Sequence, residues 1–135
     1  LDIYTKTTDS KLKEKLIFSF SQHKSDKAFQ KLVEISQKDP DDRAREKAIF
    51  WLGQTGNEGA ADVLKKVIHG DAGLDVKKKA VFAVSQLPKE KSVPILIDIA
   101  RNHKNAEVRK KAIFWLGQTD DPRAIKVLEE LVNEK

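Results

Sequence analysis

The chain has 135 residues, 26 Lys and Arg against 21 Asp and Glu, three His, and neither Cys nor Met. The absence of Cys excludes disulfides, thiol nucleophiles and Cys-ligated zinc, and no run approaches the roughly 18 consecutive apolar residues of a membrane span. With 39% hydrophobic residues and 35% charged residues of interleaved sign, the chain carries more apolar material than a disordered one and is expected to fold.

Residues 1–8 (LDIYTKTT) do not match a full repeat helix, and a chain starting on Leu1 is expected to be an excised or processed segment of a longer protein. A first helix follows over 12–22 (LKEKLIFSFSQ), then a second anchored by Leu32 and Ile35, ending at the breaker-rich Lys-Asp-Pro-Asp-Asp of 38–42. The next pair is 44–54 (AREKAIFWLGQ), the turn Gln-Thr-Gly-Asn-Glu-Gly at 54–59, and a helix anchored by Leu64 and Val67 that stops at Gly-Asp-Ala-Gly, 70–73. The third is 76–86 (VKKKAVFAVSQ), Leu87-Pro88, and a helix with Leu96 and Ile99 that runs to Asn-His-Lys-Asn, 102–105. The fourth is 108–118 (VRKKAIFWLGQ), Thr-Asp-Asp-Pro at 119–122, and a last helix through Leu128 and Leu131, with Asp121 as N-cap and Pro122 in the tolerant first turn.

These segments align without a gap at a spacing of 32. Val108, Ala112, Trp115 and Leu116 fall on one side of a helical wheel, as do Ala124, Val127, Leu128, Leu131 and Val132. Helix pairs of this size cannot bury their apolar sides alone, so they stack on one continuous core. The expectation is an all-α solenoid of four two-helix repeats, about 9–40, 41–72, 73–104 and 105–135, forming one domain.

Val-Arg-x-x-Ala at 108–112, Leu116-Gly117 and Asp-Pro-Arg-Ala-Ile-x-x-Leu at 121–128 resemble the HEAT repeat, in the short bacterial form also described as the phycobilisome-lyase HEAT-like repeat. Two departures stand out. Trp51 and Trp115 replace the small residue usual before Leu-Gly, and Leu16 replaces the small Ala of the first helix. The resemblance implies a right-handed α-α superhelix from a bacterial source that binds other macromolecules without performing a reaction.

The units alternate. Residues 47–55 and 111–119 are the same nine, Lys-Ala-Ile-Phe-Trp-Leu-Gly-Gln-Thr, whereas units one and three carry Ser21 and Ser85 for Gly, and Ser19 and Ala83 for Trp. Net charges of about +2, −1, +4 and 0 follow the same alternation, so the total of +5 is an odd-unit surplus over a duplicated 64-residue double unit.

Three surfaces are candidates for function. On the second helices, which by the resemblance line the concave side, non-core columns differ between copies and suit recognition of another protein: Gln30, Glu34, Asp62, Lys65, Lys66, Ile97, Asp98, Arg101, Lys126 and Glu130. At the starts of the first helices a basic ridge, Arg45, Lys47, Lys77, Lys79, Arg109 and Lys111, opposes the helix dipole. It is expected to find acidic neighbours; the resemblance suggests that Arg45 and Arg109 ladder with acids of adjacent units. The alternative reading of that ridge is a nucleic-acid or other polyanion site. A repeated stripe, Phe18, Phe50, Phe82 and Phe114 with Gln22, Gln54, Gln86 and Gln118, is expected to fill grooves between first helices while each Gln caps a turn carbonyl. His69 and His103 are expected to approach one another across units, without the ligand set of a metal site. No nucleophile motif or phosphate loop appears, so no enzyme activity, metal or cofactor is expected, a lyase role being implied only by the repeat's name. The compartment is left open, cytoplasmic or exported. The apolar residues of the first and last units predict end-to-end self-association or continuation into a longer array.

Overall fold

The computed structural model describes residues 3–4 and 8–133. Its elements are α1 (Ser10–Gln22), α2 (Asp26–Lys38), α3 (Asp42–Gln54), α4 (Ala60–His69), α5 (Leu74–Ser85), α6 (Lys89–Asn102), α7 (Ala106–Gly117) and α8 (Pro122–Asn133). There is no strand among the described residues, and Ile3 and Tyr4 are also helical. The predicted all-α repeat solenoid is what forms.

Local chemistry starts the helices where the period requires. Asp9, Asp41 and Asn105, one column of the repeat, each accept from backbone N–H groups in the first turn of α1, α3 and α7. Their side-chain oxygens replace the partners that a helix start lacks. Gly73 holds the same column before α5 and offers no side chain, so Asp75 in the first turn is left to complement the dipole there. Asp121 caps α8 as expected, its Oδ1 accepting from the Arg123 N–H at 2.8 Å. The α3–α4 turn needs a left-handed residue, and Gly56 at φ 71° supplies it.

The core runs unbroken through all four units, from Ile17 and Leu32 past Ile49, Leu52 and Leu64 to Val84, Ile99 and Leu116, each almost fully shielded from solvent. Second helices lie against their own first helix and the first helix of the next unit. First helices also meet one another directly. Ala48, Ala80 and Ala112, in the column where unit one has Leu16, are wholly buried, whereas Leu16 stays half-buried at the end. Val132 was expected on the apolar side of its helix, yet it is 69% exposed because no described unit follows α8 to cover it.

The alternation has a structural cause. Between units one and two, Trp51 lies edge-on to Phe18 with ring centroids 5.2 Å apart, and between units three and four Trp115 meets Phe82 at 5.3 Å. Between units two and three there is no Trp. Phe50 stacks almost parallel on Phe82 at 6.3 Å, and the helices close until a Cβ on Gly53 would lie 2.9 Å from the Ala83 carbonyl oxygen. Each junction thus takes either a Trp spacer or a small-residue contact.

Candidate interaction site

On the second helices, Gln30, Glu34, Asp62, Lys65, Lys66, Asp98, Arg101 and Lys126 are exposed and Glu130 half-exposed, whereas Ile97 leans against the core. Several are tied together. Lys31 pairs with Glu34 at 3.1 Å and Lys65 with Asp62 at 3.4 Å along single helices. Two pairs cross between units: His69 Nε2 lies 4.0 Å from Asp98 Oδ2, and Arg101 Nη2 lies 2.9 Å from Glu130 Oε1. Both crossings join the same two columns of the repeat, three residues apart on the wheel. Asn102 Nδ2 donates to Asp98 Oδ1 at 2.8 Å and holds that carboxylate, whereas the 4.0 Å His69 contact is an ion pair only with the imidazole protonated. Exposed pairs of this kind add roughly 0–1 kcal/mol each; their effect is to fix the orientation of charge across the face.

The basic ridge divides. Lys47 and Lys111 are exposed, while Arg45, Lys77, Lys79 and Arg109 are half-buried. Arg45 Nε donates to the Ser36 carbonyl at 3.1 Å and Arg109 Nη1 to the His103 carbonyl at 2.6 Å. The arginines therefore bind carbonyls at the end of the preceding second helix and in the loop after it, instead of the acid ladder expected from the resemblance; those carbonyls are the groups a helix end leaves unsatisfied. Lys79 Nζ sits 5.9 Å from the Phe82 ring centroid. With Lys78, Lys111, Glu46, Asp75 and Trp115 it borders an open groove of about 390 Å³.

The stripe forms a ladder of rings across all first helices, Phe18, Trp51, Phe50, Phe82, Trp115 and Phe114 in turn, with neighbouring centroids 4.9–6.3 Å apart. Phe50 and Phe82 are half-buried within it, and Phe18 and Phe114 are exposed at its ends. Gln22, Gln54, Gln86 and Gln118 all face solvent. Gln22 and Gln86 donate to the neighbouring Ser21 and Ser85 hydroxyls, and those hydroxyls donate to the Phe18 and Phe82 carbonyls. Serine therefore takes the capping role expected of glutamine in units one and three.

His69 and His103 do meet, their rings stacked at 5.5 Å. His103 is buried, and both ring nitrogens are engaged: Nε2 lies 2.9 Å from the Ile68 carbonyl and Nδ1 accepts from the Asn105 N–H at 3.0 Å. A backbone N–H at Nδ1 assigns the proton to Nε2, so this imidazole is a structural tie. Among the described residues, no group of three His, Cys, Asp or Glu is placed to hold a metal.

One cluster escaped the sequence reading. Lys13, in the column of Arg45, Lys77 and Arg109, is buried and bonded to Asp39 at 3.1 Å, and Tyr4 Oη donates to the other Asp39 oxygen at 2.6 Å. Lys13 and Lys31 both stand over the Tyr4 ring, at 5.6 and 5.5 Å. Burial raises the Tyr4 phenol, and the Asp39 hydrogen bond and the Asp39 and Asp41 charges raise it further, well above the usual tyrosine range. Burial opposes the Asp39 charge, but hydrogen bonds from Tyr4, the Asp41 N–H and Lys13 outweigh it and hold the carboxyl below its ordinary value. The available signal was register: Ile3 precedes Ile35, Val67 and Ile99 by whole periods.

No helix among the described residues is long and apolar enough to cross a membrane. In comparisons with known sequences, the family model for HEAT repeats matches residues 1–85 and again 70–135. No curated protein matches significantly.

Proposed function

This chain belongs to the HEAT repeat family, and from that premise we propose that it is a non-catalytic scaffold that binds another protein through the concave face formed by its second helices. HEAT repeats commonly serve protein–protein interaction, and the observation that carries the reading here is a contrast between columns. Core columns keep their apolar character from unit to unit, but the solvent-facing columns Gln30/Asp62/Pro94/Lys126 and Glu34/Lys66/Asp98/Glu130 differ in charge between copies. Identical contacts between units require identical residues; recognition of one partner needs differences. The Asn102 bond to Asp98 and the cross-unit pair at Glu130 support this reading by holding that pattern stiff, which lowers the ordering cost of binding.

The test reverses charge at Lys65, Lys66 and Asp98 together, using a partner first captured by the wild-type chain and then purified. Binding should fall at least tenfold with helicity and thermal midpoint retained; unchanged affinity would overturn the reading. A second reading, polyanion binding in the groove of Lys78, Lys79 and Lys111, draws support from the lysine and ring placement around Phe82. It requires affinity for random-sequence duplex that falls steeply with salt, and Glu46 and Asp75 on the same rim work against it.

A further inference from the structure

The ends of the array expose surface that its middle buries. At the unit-four end Phe114 is 53% exposed and Gly117 has open space where a Cβ would stand; at the unit-one end Phe18 is 48% exposed. Two periods inward, the counterparts of these residues touch. Phe50 stacks on Phe82, and Gly53 lies against Ala83. Adding 64 turns Phe50 and Gly53 into Phe114 and Gly117; subtracting 64 turns Phe82 and Ala83 into Phe18 and Ser19. Residues 47–55 and 111–119 being identical, the first helix of unit four presents the Phe and Gly surface that the first helix of unit two offers to unit three, and Ser19 is small enough to take the place of Ala83.

We propose that the chain associates head to tail, unit four of one copy docking on unit one of a second through the contact that already joins units two and three, with Gly117 against Ser19 and Phe114 against Phe18. The contact includes α8, whose Val132 and Asn133 stand in the columns of Ile68 and His69, but Lys65, Lys66 and Asp98 lie in units two and three, away from both ends, so their charge reversal tests the scaffold reading apart from this association.

One element occupies the seat. Ile3 and Tyr4 are in register with Val67 and Ile68, and four periods before Leu131 and Val132. The Ile68 carbonyl meets His103, whose counterpart two periods back is Asp39, and Tyr4 meets Asp39. Tyr4 therefore holds on unit one the place that Val132 of a docking copy would take. Association requires this turn to leave, so the apparent affinity is lowered by the fraction of molecules in which the seat is free. The contact is heterologous, so it can repeat from copy to copy, and Tyr4 acts as a stopper on that repetition.

The chain has no Cys of its own, which makes disulfide capture clean. Chains carrying Ser19→Cys and Gly117→Cys, each checked for native helicity, are mixed in equal amounts in a glutathione redox buffer. The mixed dimer should exceed either same-site dimer about tenfold, and adding Tyr4→Ala to the Ser19→Cys chain should raise its rate by about another factor of ten, the scale set by modest changes in association free energy. Tyr4→Phe keeps the ring on Phe20 and removes only the Asp39 bond, so it gives a smaller rise that stays readable if Tyr4→Ala loses helicity. Because a side chain at 117 crowds this contact as one at Gly53 would, the wild-type chain is also run in sedimentation velocity: a statistical mixture of dimers together with a monomer at every concentration overturns the docking, and a mixed-dimer rate unmoved by both Tyr4 variants overturns the stopper.

Discussion

Residues 47–55 and 111–119 are the same nine amino acids in the same turns of equivalent helices, yet they live differently. Leu52 and Leu116 are both fully buried, and Leu116 is so with no described unit following its own. Gly53 is jammed against Ala83 while Gly117 faces open space, and Phe50 is flanked by Trp51 and Phe82 whereas Phe114 has Trp115 alone. The difference lies entirely in the following unit. A column in a repeat array therefore has two kinds of residue: those satisfied by local and preceding neighbours, and those whose role depends on what stacks next.

The sharpest test starts where the copies should agree. Leu52→Ala and Leu116→Ala should each destabilise by about 2–5 kcal/mol in urea titrations, as cavities in a packed core do; a large gap between them would break the claim that the preceding unit decides this column. Phe50→Ala and Phe114→Ala should differ. Two ring partners against one, at about 0.5–1.5 kcal/mol for each aromatic pair, predict a loss of roughly 1–3 for Phe50 and about half that for Phe114. The glycines should differ in sign. Gly53→Ala should cost about 1–3 kcal/mol through overpacking on Ala83, while Gly117→Ala in dilute solution should be neutral or stabilising by up to about 1 kcal/mol through helix propensity. Equal effects at both glycines would mean that the open face of unit four is covered even in the dilute chain.

The smallest effects concern pH, and they separate unit one from the rest. Tyr4 is the chain's single tyrosine, and its phenol is held above the usual range, so its stabilising contribution is present below the unfolded value of about 10 and is lost as pH rises through the higher folded one. Tyrosinate absorbance should stay suppressed past that value and emerge with loss of helicity. Asp39 has the opposite sign. Its depressed carboxyl contributes above the unfolded value of about 3.9, and the contribution fades as pH falls through the lower folded one. Thermal midpoints followed downward from neutral pH should drop more in wild type than in Asp39→Asn.

Much of the fold was legible in the residues, because a 32-residue period and a 3.6-residue wheel are both local facts. The apolar column of Ala112 and the Asp121-Pro122 start of α8 could be read directly, whereas the capping column Asp9, Asp41 and Asn105 was recognised only in the structure. The surfaces were legible only by column. A column says which way a side chain points, not what meets it, so Arg45 and Arg109 looked available for acids when carbonyls were closer, and nothing in the column of Lys13 shows its burial.

By itself, then, the sequence determined the helices, their caps, the inward columns and the order of stacking, all of which follow from neighbours within one period. Tertiary structure decided which copies of a repeated residue are covered. Gly53 differs from Gly117 through contact with the following unit, and Lys13 is buried by Asp39, 26 positions on, and by Tyr4, whose own bond to Asp39 spans 35. Gly53 meets Ala83 only when one unit stacks on the next, and Lys13 meets Asp39 only when the two helices of unit one fold back on each other.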